Sequence, residues 1–283
     1  MSDTEFEMRV DNGWVILPAS LKSPTNVPRF HIEFPYNLAK DAGANLLVRT
    51  EFQEGYEVTT RNLLEKVLRP GDLFVDVGAH WGFFTLQATT HPAGNIRAIA
   101  LEPDPGNAFI LHHNILANGL TEAAHLVCAA CGAGFEIAPL VASVTSSSMM
   151  NSVRAVGLKP PFVPGLSKWV PIVSLDTALA CFPWEANRRV ILKVDTEGFE
   201  TQVIAGARAL LDSRRVALII WELGRAFFDG AERNAMIEMV DLLSRRGFRH
   251  FRPSEPHVDG AFVPFNPETY TGNVFSFGAG LDP

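Results

Sequence analysis

The chain has 283 residues, 47% of them hydrophobic, and carries 24 basic against 31 acidic side chains for a formal charge of −7. This length suits one α/β domain with additions, and the lack of a Lys/Arg cluster predicts that nucleic acid is not a partner. The lack of a long apolar run or an apolar signal region predicts no membrane partner. Three cysteines, an odd number, favour a cytoplasmic location over a disulfide framework.

The first part of the chain differs in pattern from the rest. Residues 1–58 carry scattered aromatic side chains and several prolines, which predict an N-terminal extension of short strands. Residues 59–283 alternate strand and helix patterns and are predicted to form the main domain. Its first element is predicted to be an amphipathic helix that begins at Thr59 and Thr60 and ends before Pro70.

Residues 73–82 predict a buried strand that ends in a glycine loop. Asp76 lies among apolar residues of this strand. Gly78 and Gly82 let the backbone bend tightly and approach a ligand where a side chain would clash. A helix is predicted for 83–90, directly after the loop.

A second apolar strand, 96–101, ends on Glu102 and Pro103. An acid about 20 residues after the loop is where a nucleotide-binding βαβ unit places its acceptor for ribose hydroxyls. The loop itself reads D-x-G-x-x-x-G and lacks the G-x-G that brings the backbone against a pyrophosphate. This pattern favours a nucleoside cofactor without phosphates, of which S-adenosylmethionine is the common one. The alternatives are a nicotinamide-dependent oxidoreductase and a non-catalytic protein that binds S-adenosylmethionine.

The rest of the chain continues the alternation. Asp104 is predicted to cap a helix that has Pro105 at its first position and that ends near Gly119. Strands that are apolar throughout and separated by helices indicate a parallel sheet covered on both faces. The further strands are predicted at 126–130, 190–195, 216–222, 248–251 and 273–277, with helices around 203–211 and 236–247.

One region interrupts this order. Residues 135–171 are rich in serine and proline and are too long for an ordinary connection in a compact domain. They are predicted to form a lid or a substrate-facing insertion. A disordered surface loop is the alternative, although the aromatic residues and valines of the segment argue against full disorder.

Two blocks of sequence resemble the FkbM family of methyltransferases. The first combines 75–85 with 102–105, and the second combines 193–200 (K-V-D-T-E-G-F-E) with 221–223. The similarity extends over about residues 55–277. It implies a class I methyltransferase fold, which is a Rossmann-like sheet of seven mostly parallel strands with an antiparallel last strand and helices on both faces. It also implies methyl transfer to hydroxyl groups, often on sugars or natural products.

The predicted cofactor site combines this resemblance with the chemistry of the side chains. Asp76 and Gly78 are expected at the methionine end of S-adenosylmethionine. Glu102 is expected at the ribose, because a carboxylate accepts both hydrogen bonds of a cis-diol. The full set of predicted cofactor-binding residues is Asp76, Gly78, Ala79, Gly82, Glu102, Pro103, Ala130 and Asp195.

Three residues are predicted to act in catalysis: His80, Asp195 and Glu197. An imidazole titrates near neutrality, so His80 is a candidate base, although it could instead hydrogen-bond the loop backbone. Asp195, Glu197, Glu200 and Glu222 form a carboxylate-rich rim that could hold a divalent cation. The favoured interpretation places Glu197 and Glu200 at a helix amino terminus, where the dipole favours acids, and assigns no metal. A small-molecule hydroxyl is the expected substrate, and a homodimer is a candidate oligomeric state.

Overall fold

The computed structural model describes residues 9–19, 21, 27–40, 57–140, 168–224, 230–255 and 261–283. Fourteen strands and seven α-helices lie within these ranges. The strands are β1 (Arg9–Asp11), β2 (Trp14–Pro18), β3 (His31–Pro35), β4 (Leu73–Val77), β5 (Arg97–Leu101), β6 (Ala124–Val127), β7 (Ala130–Gly132), β8 (Glu136–Leu140), β9 (Lys168–Ser174), β10 (Val190–Val194), β11 (Val216–Leu223), β12 (Arg249–Pro253), β13 (Phe262–Pro264) and β14 (Gly272–Phe277). The helices are α1 (Val58–Val67), α2 (Phe83–Thr89), α3 (Pro105–Ala117), α4 (Leu175–Ala180), α5 (Glu200–Ala205), α6 (Arg208–Asp212) and α7 (Gly230–Arg245).

An eight-stranded sheet forms the centre of the molecule, in the order β13-β12-β14-β11-β10-β4-β5-β6. The pairs β11–β10, β10–β4, β4–β5 and β5–β6 are parallel, whereas β14 runs antiparallel to both of its neighbours. The predicted class I methyltransferase sheet, mostly parallel with an antiparallel last strand, is therefore confirmed. The three-residue strand β13 adds an eighth strand that the sequence pattern did not predict.

Helices cover both faces of this sheet. The central strands β4 and β10 are buried along their whole length, which explains why they read as continuous apolar runs. One core joins Phe74 and Ile191 to α1, α2 and α3, and the other joins Val75 and Leu192 to α4, α5, α6 and α7. Asp104 caps α3, as predicted, by accepting hydrogen bonds from the backbone N–H groups of Gly106 and Asn107. Among the described residues, none of the helices is both long and apolar enough to cross a membrane.

Two predicted elements are divided in the structure. The strand predicted at 126–130 ends at Val127, and the chain then enters β7, which pairs with β9 in a separate three-stranded sheet. The helix predicted around 203–211 breaks into α5 and α6 at Gly206. A Cβ atom on Gly206 would lie 1.9 Å from the Gly132 carbonyl oxygen, so the close approach of β7 requires glycine there.

The ends of the predicted insertion form part of that smaller sheet. β8 and β9 pair antiparallel, and β9 lies between β7 and β8. Residues 141–167, the centre of the insertion, lie outside the described residues. The lid function of 135–171 therefore stays a prediction.

Three strands of the N-terminal extension form a sheet of their own, in the order β1-β2-β3, which packs against α2 and α3. The Phe34 ring stacks on Trp81, with ring centres 5.0 Å apart. The Asn114 side chain accepts a hydrogen bond from the Glu33 backbone N–H at 2.7 Å and donates one to the Trp81 carbonyl at 2.9 Å. The His113 ring stacks on Trp14, 3.8 Å away. The extension thus braces the glycine loop, while the domain boundary at residue 58 stays a prediction.

Replacing Asn114 by Ala should lower the free energy of unfolding by about 1–3 kcal/mol, because it leaves the Glu33 N–H and the Trp81 carbonyl without their partner. Urea denaturation measures this change. Leu116→Ala on the same helix is the control, since Leu116 is 51% exposed, and it should change stability little. Equal stability of the two variants would contradict the bracing role of Asn114.

Candidate functional site

Two adjoining cavities, of about 530 and 550 Å³, open at the carboxyl ends of β4, β5 and β10. This is the edge at which open α/β sheets bind their ligands. Glu102, Pro103, Asn107, Ala129, Ala130 and Phe199 are among the residues that line the first cavity. Ile32, Asp76, Ala79, Phe84 and Lys193 are among those that line the second. Gly78, His80, Asp195 and Glu197 line both.

The glycines of the loop are required by neighbouring protein atoms. Gly78 has a φ of +83°, and a Cβ on it would lie 1.8 Å from the Asp195 carbonyl oxygen. Gly82 has a φ of +91°, and its Cβ would meet the Leu111 side chain at 2.2 Å. Close approaches of the Asp195 backbone and of α3 therefore already require glycine at these two positions. Gly82 is not among the residues lining either cavity, and its assignment to cofactor binding stays a prediction.

Asp76 supplies a buried carboxylate to the second cavity. The side chain is 1% exposed, and its Oδ2 atom accepts a hydrogen bond from the Thr85 hydroxyl at 2.7 Å. Its Oδ1 atom has no partner among the described residues. Burial raises the pKa of Asp76, and the nearby Lys193 ammonium opposes that shift. A buried carboxylate oxygen without a partner is rare, and a cationic donor on a ligand would satisfy it.

Glu102 lies in the first cavity and holds two loops together. Its Oε2 atom accepts the His80 backbone N–H and its Oε1 atom accepts the Asp104 backbone N–H, both at 2.9 Å. Burial raises the pKa of Glu102 to about 8. Oε1 also accepts a longer hydrogen bond from Asn107 Nδ2, at 3.4 Å, whereas the second lone pair of Oε2 can still accept a hydroxyl of a diol.

His80 sits in the loop with a left-handed backbone, φ +52°. Its ring stacks on Trp81, with ring centres 4.6 Å apart. Burial lowers the pKa of His80 to about 3, against the attraction of the Asp195 and Asp104 carboxylates. A neutral imidazole with so low a pKa is a weak base. Burial therefore weighs against His80 as the base, and its catalytic role stays a prediction.

Lys193 brings a buried positive charge to the second cavity. It is 3% exposed, donates a hydrogen bond to Asp195 Oδ2 at 2.6 Å and lies 4.7 Å from the centre of the Phe84 ring. Burial alone would lower the pKa of Lys193, but the carboxylates of Asp195, Glu57 and Asp76 raise it instead. The lysine therefore stays charged and holds the Asp195 side chain in place.

Glu57 lines neither cavity but places a carboxylate close to Lys193, which the sequence pattern did not reveal. It precedes α1 with a left-handed backbone, φ +42°, and accepts a hydrogen bond from Asn273 Nδ2 at 3.0 Å. Burial raises the pKa of Glu57, and Lys193 opposes that shift. An acid next to a helix start suggests a cap, yet Glu57 makes no side-chain capping bond. Its proximity to Lys193, which only the structure shows, is what connects Glu57 with this group of charges.

Three carboxylates gather at the rim of the cavities. Asp195, Glu197 and Glu222 each offer one oxygen atom, and these atoms all lie within 4.8 Å of one another. Burial, followed by repulsion from neighbouring carboxylates, raises the pKa of Glu197 to about 7 and that of Glu222 to about 8. Oxygen donors in such a group are of the type that divalent cations prefer.

Glu200 differs from these three carboxylates in what it contacts. It is the first residue of α5, and it accepts hydrogen bonds from the backbone N–H and the hydroxyl of Thr196, at 2.9 and 3.0 Å. Burial raises the pKa of Glu200 to about 6. The interpretation of acids at a helix amino terminus therefore fits Glu200. Glu197 precedes this helix by three residues and lines both cavities, and its interpretation as a helix-terminus acid stays a prediction.

Comparison with known proteins identifies the family. The model of the methyltransferase FkbM domain matches residues 76–250, and the chain belongs to this family. The match places the chain in a family of methyltransferases, and this family implies S-adenosylmethionine as the cofactor. No curated protein matches the chain significantly.

Solved structures of several methyltransferases are similar to this chain. Methyltransferase FkbM from Methylobacillus flagellatus KT has 13% identity and a TM-score of 0.44, covering 84% of this chain and 61% of its own. This chain therefore spans less than two thirds of that protein. An O-methyltransferase from Bacillus cereus in complex with SAH has 12% identity and a TM-score of 0.47, and the similarity covers 85% of this chain and 88% of that protein. Precorrin-6y C5,15-methyltransferase from Geobacter metallireducens GS-15 has 13% identity and a TM-score of 0.39, and the similarity covers 77% of this chain and 87% of that protein.

Replacing Gly78 by Ala should lower the free energy of unfolding by about 2–4 kcal/mol, because it combines backbone strain with a clash against the Asp195 carbonyl. Gly134→Ala is the matched control, since a Cβ there meets no atom within 4 Å. Urea denaturation of both variants measures the difference. If Gly78→Ala were as stable as the control, the close contact between β4 and β10 would not require glycine.

Proposed function

We propose that this protein is an S-adenosylmethionine-dependent O-methyltransferase that acts on a hydroxyl of a small molecule, such as a sugar or a natural-product intermediate. The family assignment supports the class of reaction. The observation that carries the proposal is the pair of adjoining cavities, each with a buried carboxylate: Glu102 in the first and Asp76 in the second. S-adenosylmethionine consists of two halves, an adenosine and a charged amino acid, so each cavity can hold one half.

The residues of each cavity fit one half of this cofactor. Pro103 and Ala130 provide an apolar wall of the kind that a purine base needs, and Glu102 offers acceptors for the ribose hydroxyls. In the second cavity, the unpartnered Oδ1 atom of Asp76 suits the ammonium group of the amino acid. Ala79, beside it, leaves room for the methionine chain. When bound, S-adenosylmethionine supplies the sulfonium methyl group that is transferred.

The protein has two tasks in this reaction: to align the acceptor hydroxyl with the methyl group and to remove its proton. Glu197 is our candidate for the base. It lines both cavities, and its pKa of about 7 places the carboxylate near the ideal value for a base at neutral pH. Asp195, held by Lys193, is our candidate for orienting the acceptor hydroxyl by accepting its hydrogen bond. His80 then forms a neutral wall of the site.

A divalent cation is the alternative route to an activated hydroxyl. Asp195, Glu197 and Glu222 have the donor type and the mutual spacing for it. Such an ion would lower the pKa of the acceptor hydroxyl. We do not favour this route, because Lys193 already occupies one oxygen of Asp195.

The cofactor proposal is tested by thermal shift with S-adenosylhomocysteine and with NAD. A ligand that binds the native state raises the melting temperature by mass action. We expect stabilisation by S-adenosylhomocysteine alone, and stabilisation by NAD alone would overturn the proposal. At about pH 9, above the pKa of Glu102 of about 8, Glu102→Gln should weaken binding by about 1.5–3 kcal/mol, because the acceptor loses its charge. Unchanged affinity in this folded variant would place the ribose elsewhere.

The base is tested by the dependence of kcat/KM on pH. Glu197 accepts a proton only when ionised, so the rate should rise with pH through about 7 and level off above it. Glu197→Gln should remove this acidic limb and reduce the rate by about 10²–10⁴-fold. His80→Ala is the matched comparison, and it should keep the limb because the pKa of His80, about 3, lies below the assay range. Loss of the limb in His80→Ala, or loss of all activity in EDTA, would contradict this assignment.

A further inference from the structure

The wall shared by the two cavities is acidic at the point where the two halves of the proposed cofactor join. The sulfur atom of S-adenosylmethionine links the ribose to the amino-acid chain. A cofactor with one half in each cavity therefore has its sulfur beside the residues that line both. Two of these residues, Asp195 and Glu197, are carboxylic acids.

Once Glu197 and Glu222 are ionised, above their pKa values of about 7 and about 8, carboxylates outnumber the cations around this junction. Glu222 is not among the residues lining the cavities, but it offers an oxygen within 4.8 Å of those of Asp195 and Glu197 and so adds a third acid next to the shared wall. Lys193 offsets one of these charges through its 2.6 Å contact with Asp195. His80 does not add a positive charge, because burial lowers its pKa to about 3. A second, independent observation is the buried Oδ1 atom of Asp76 in the adjoining cavity, which has no partner among the described residues.

We propose that Asp195, Glu197 and Glu222, the acidic wall, select the sulfonium form of the cofactor over its uncharged thioether product. This inference rests on the proposed function. During transfer the bond between the methyl carbon and sulfur breaks, and its electron pair stays on sulfur. The methyl carbon bonds to the acceptor oxygen, whose proton passes to Glu197. The sulfur thereby loses its positive charge and its attraction to the acidic wall.

The other cofactor contacts cannot make this distinction. The ribose hydroxyls at Glu102 and the ammonium group at Asp76 are the same in S-adenosylmethionine and S-adenosylhomocysteine. These contacts set how tightly both molecules bind, whereas the acidic wall sets their ratio. The consequence is that the product leaves more readily than the cofactor and does not accumulate in the site.

Isothermal titration calorimetry in EDTA at about pH 9, above the pKa values of Glu197 and Glu222, tests this selection with three probes. They are S-adenosylmethionine, S-adenosylhomocysteine and sinefungin, which carries a protonated amine in place of the methylated sulfur. The wild-type protein should bind the two cationic probes about tenfold or more tighter than S-adenosylhomocysteine. Glu197→Gln and Glu222→Gln should each reduce this ratio by about threefold or more. Glu197→Asp, which keeps the charge, should retain the ratio.

The matched control is Glu102→Gln, which should weaken the binding of all three probes by the same factor. Circular dichroism checks that each variant is folded. Equal or tighter binding of S-adenosylhomocysteine to the wild type, or an unchanged ratio in both Gln variants of the wall, would overturn the inference alone. Failure of every probe to bind would overturn the proposed function as well. A ratio that falls to one when Mg²⁺ replaces EDTA would assign the wall to a metal ion, against our inference.

Discussion

The buried ammonium group of Lys193 is the interaction on which the arrangement at this edge of the sheet depends. Lys193 and Asp76 are register partners on the adjacent strands β10 and β4, and Asp195 follows two residues later. Glu57 approaches the same ammonium group from the start of α1. Burying so many carboxylates would be costly without a cation among them, so the lysine allows the acids to share one site.

The backbone at the same edge is held by a second constraint. The turn after β4 passes so close to the Asp195 carbonyl that only glycine fits at position 78. This contact fixes the positions of the glycine loop and of the segment after β10 relative to each other. The two cavities share the residues at that contact, so their geometry follows from how the ends of two parallel strands meet. The N-terminal sheet supports the loop from behind through Phe34 and Trp81.

Burial then assigns different chemistry to residues of similar type. Glu197 and Glu200 are three positions apart, yet one lines both cavities and the other bonds to the backbone of its own loop. His80 is a base by residue type, but its surroundings keep it neutral. The acids left facing the cavities exceed the nearby cations. This excess of acids is the basis for the proposed selection of a positively charged ligand.

The sequence by itself determined the elements that rest on neighbouring residues. The buried strand before Gly78, the cap at Asp104 and the parallel sheet follow from periodicity and local hydrogen bonding, and two motif blocks indicated the family. Only the tertiary structure decided which groups meet. Glu57 and Asn273 are 216 positions apart and join across the sheet, and the break at Gly206 depends on the distant β7. The pKa of His80 likewise depends on burial by several elements. Local patterns do not carry such contacts, because they arise when packing brings distant segments together and removes water from between them.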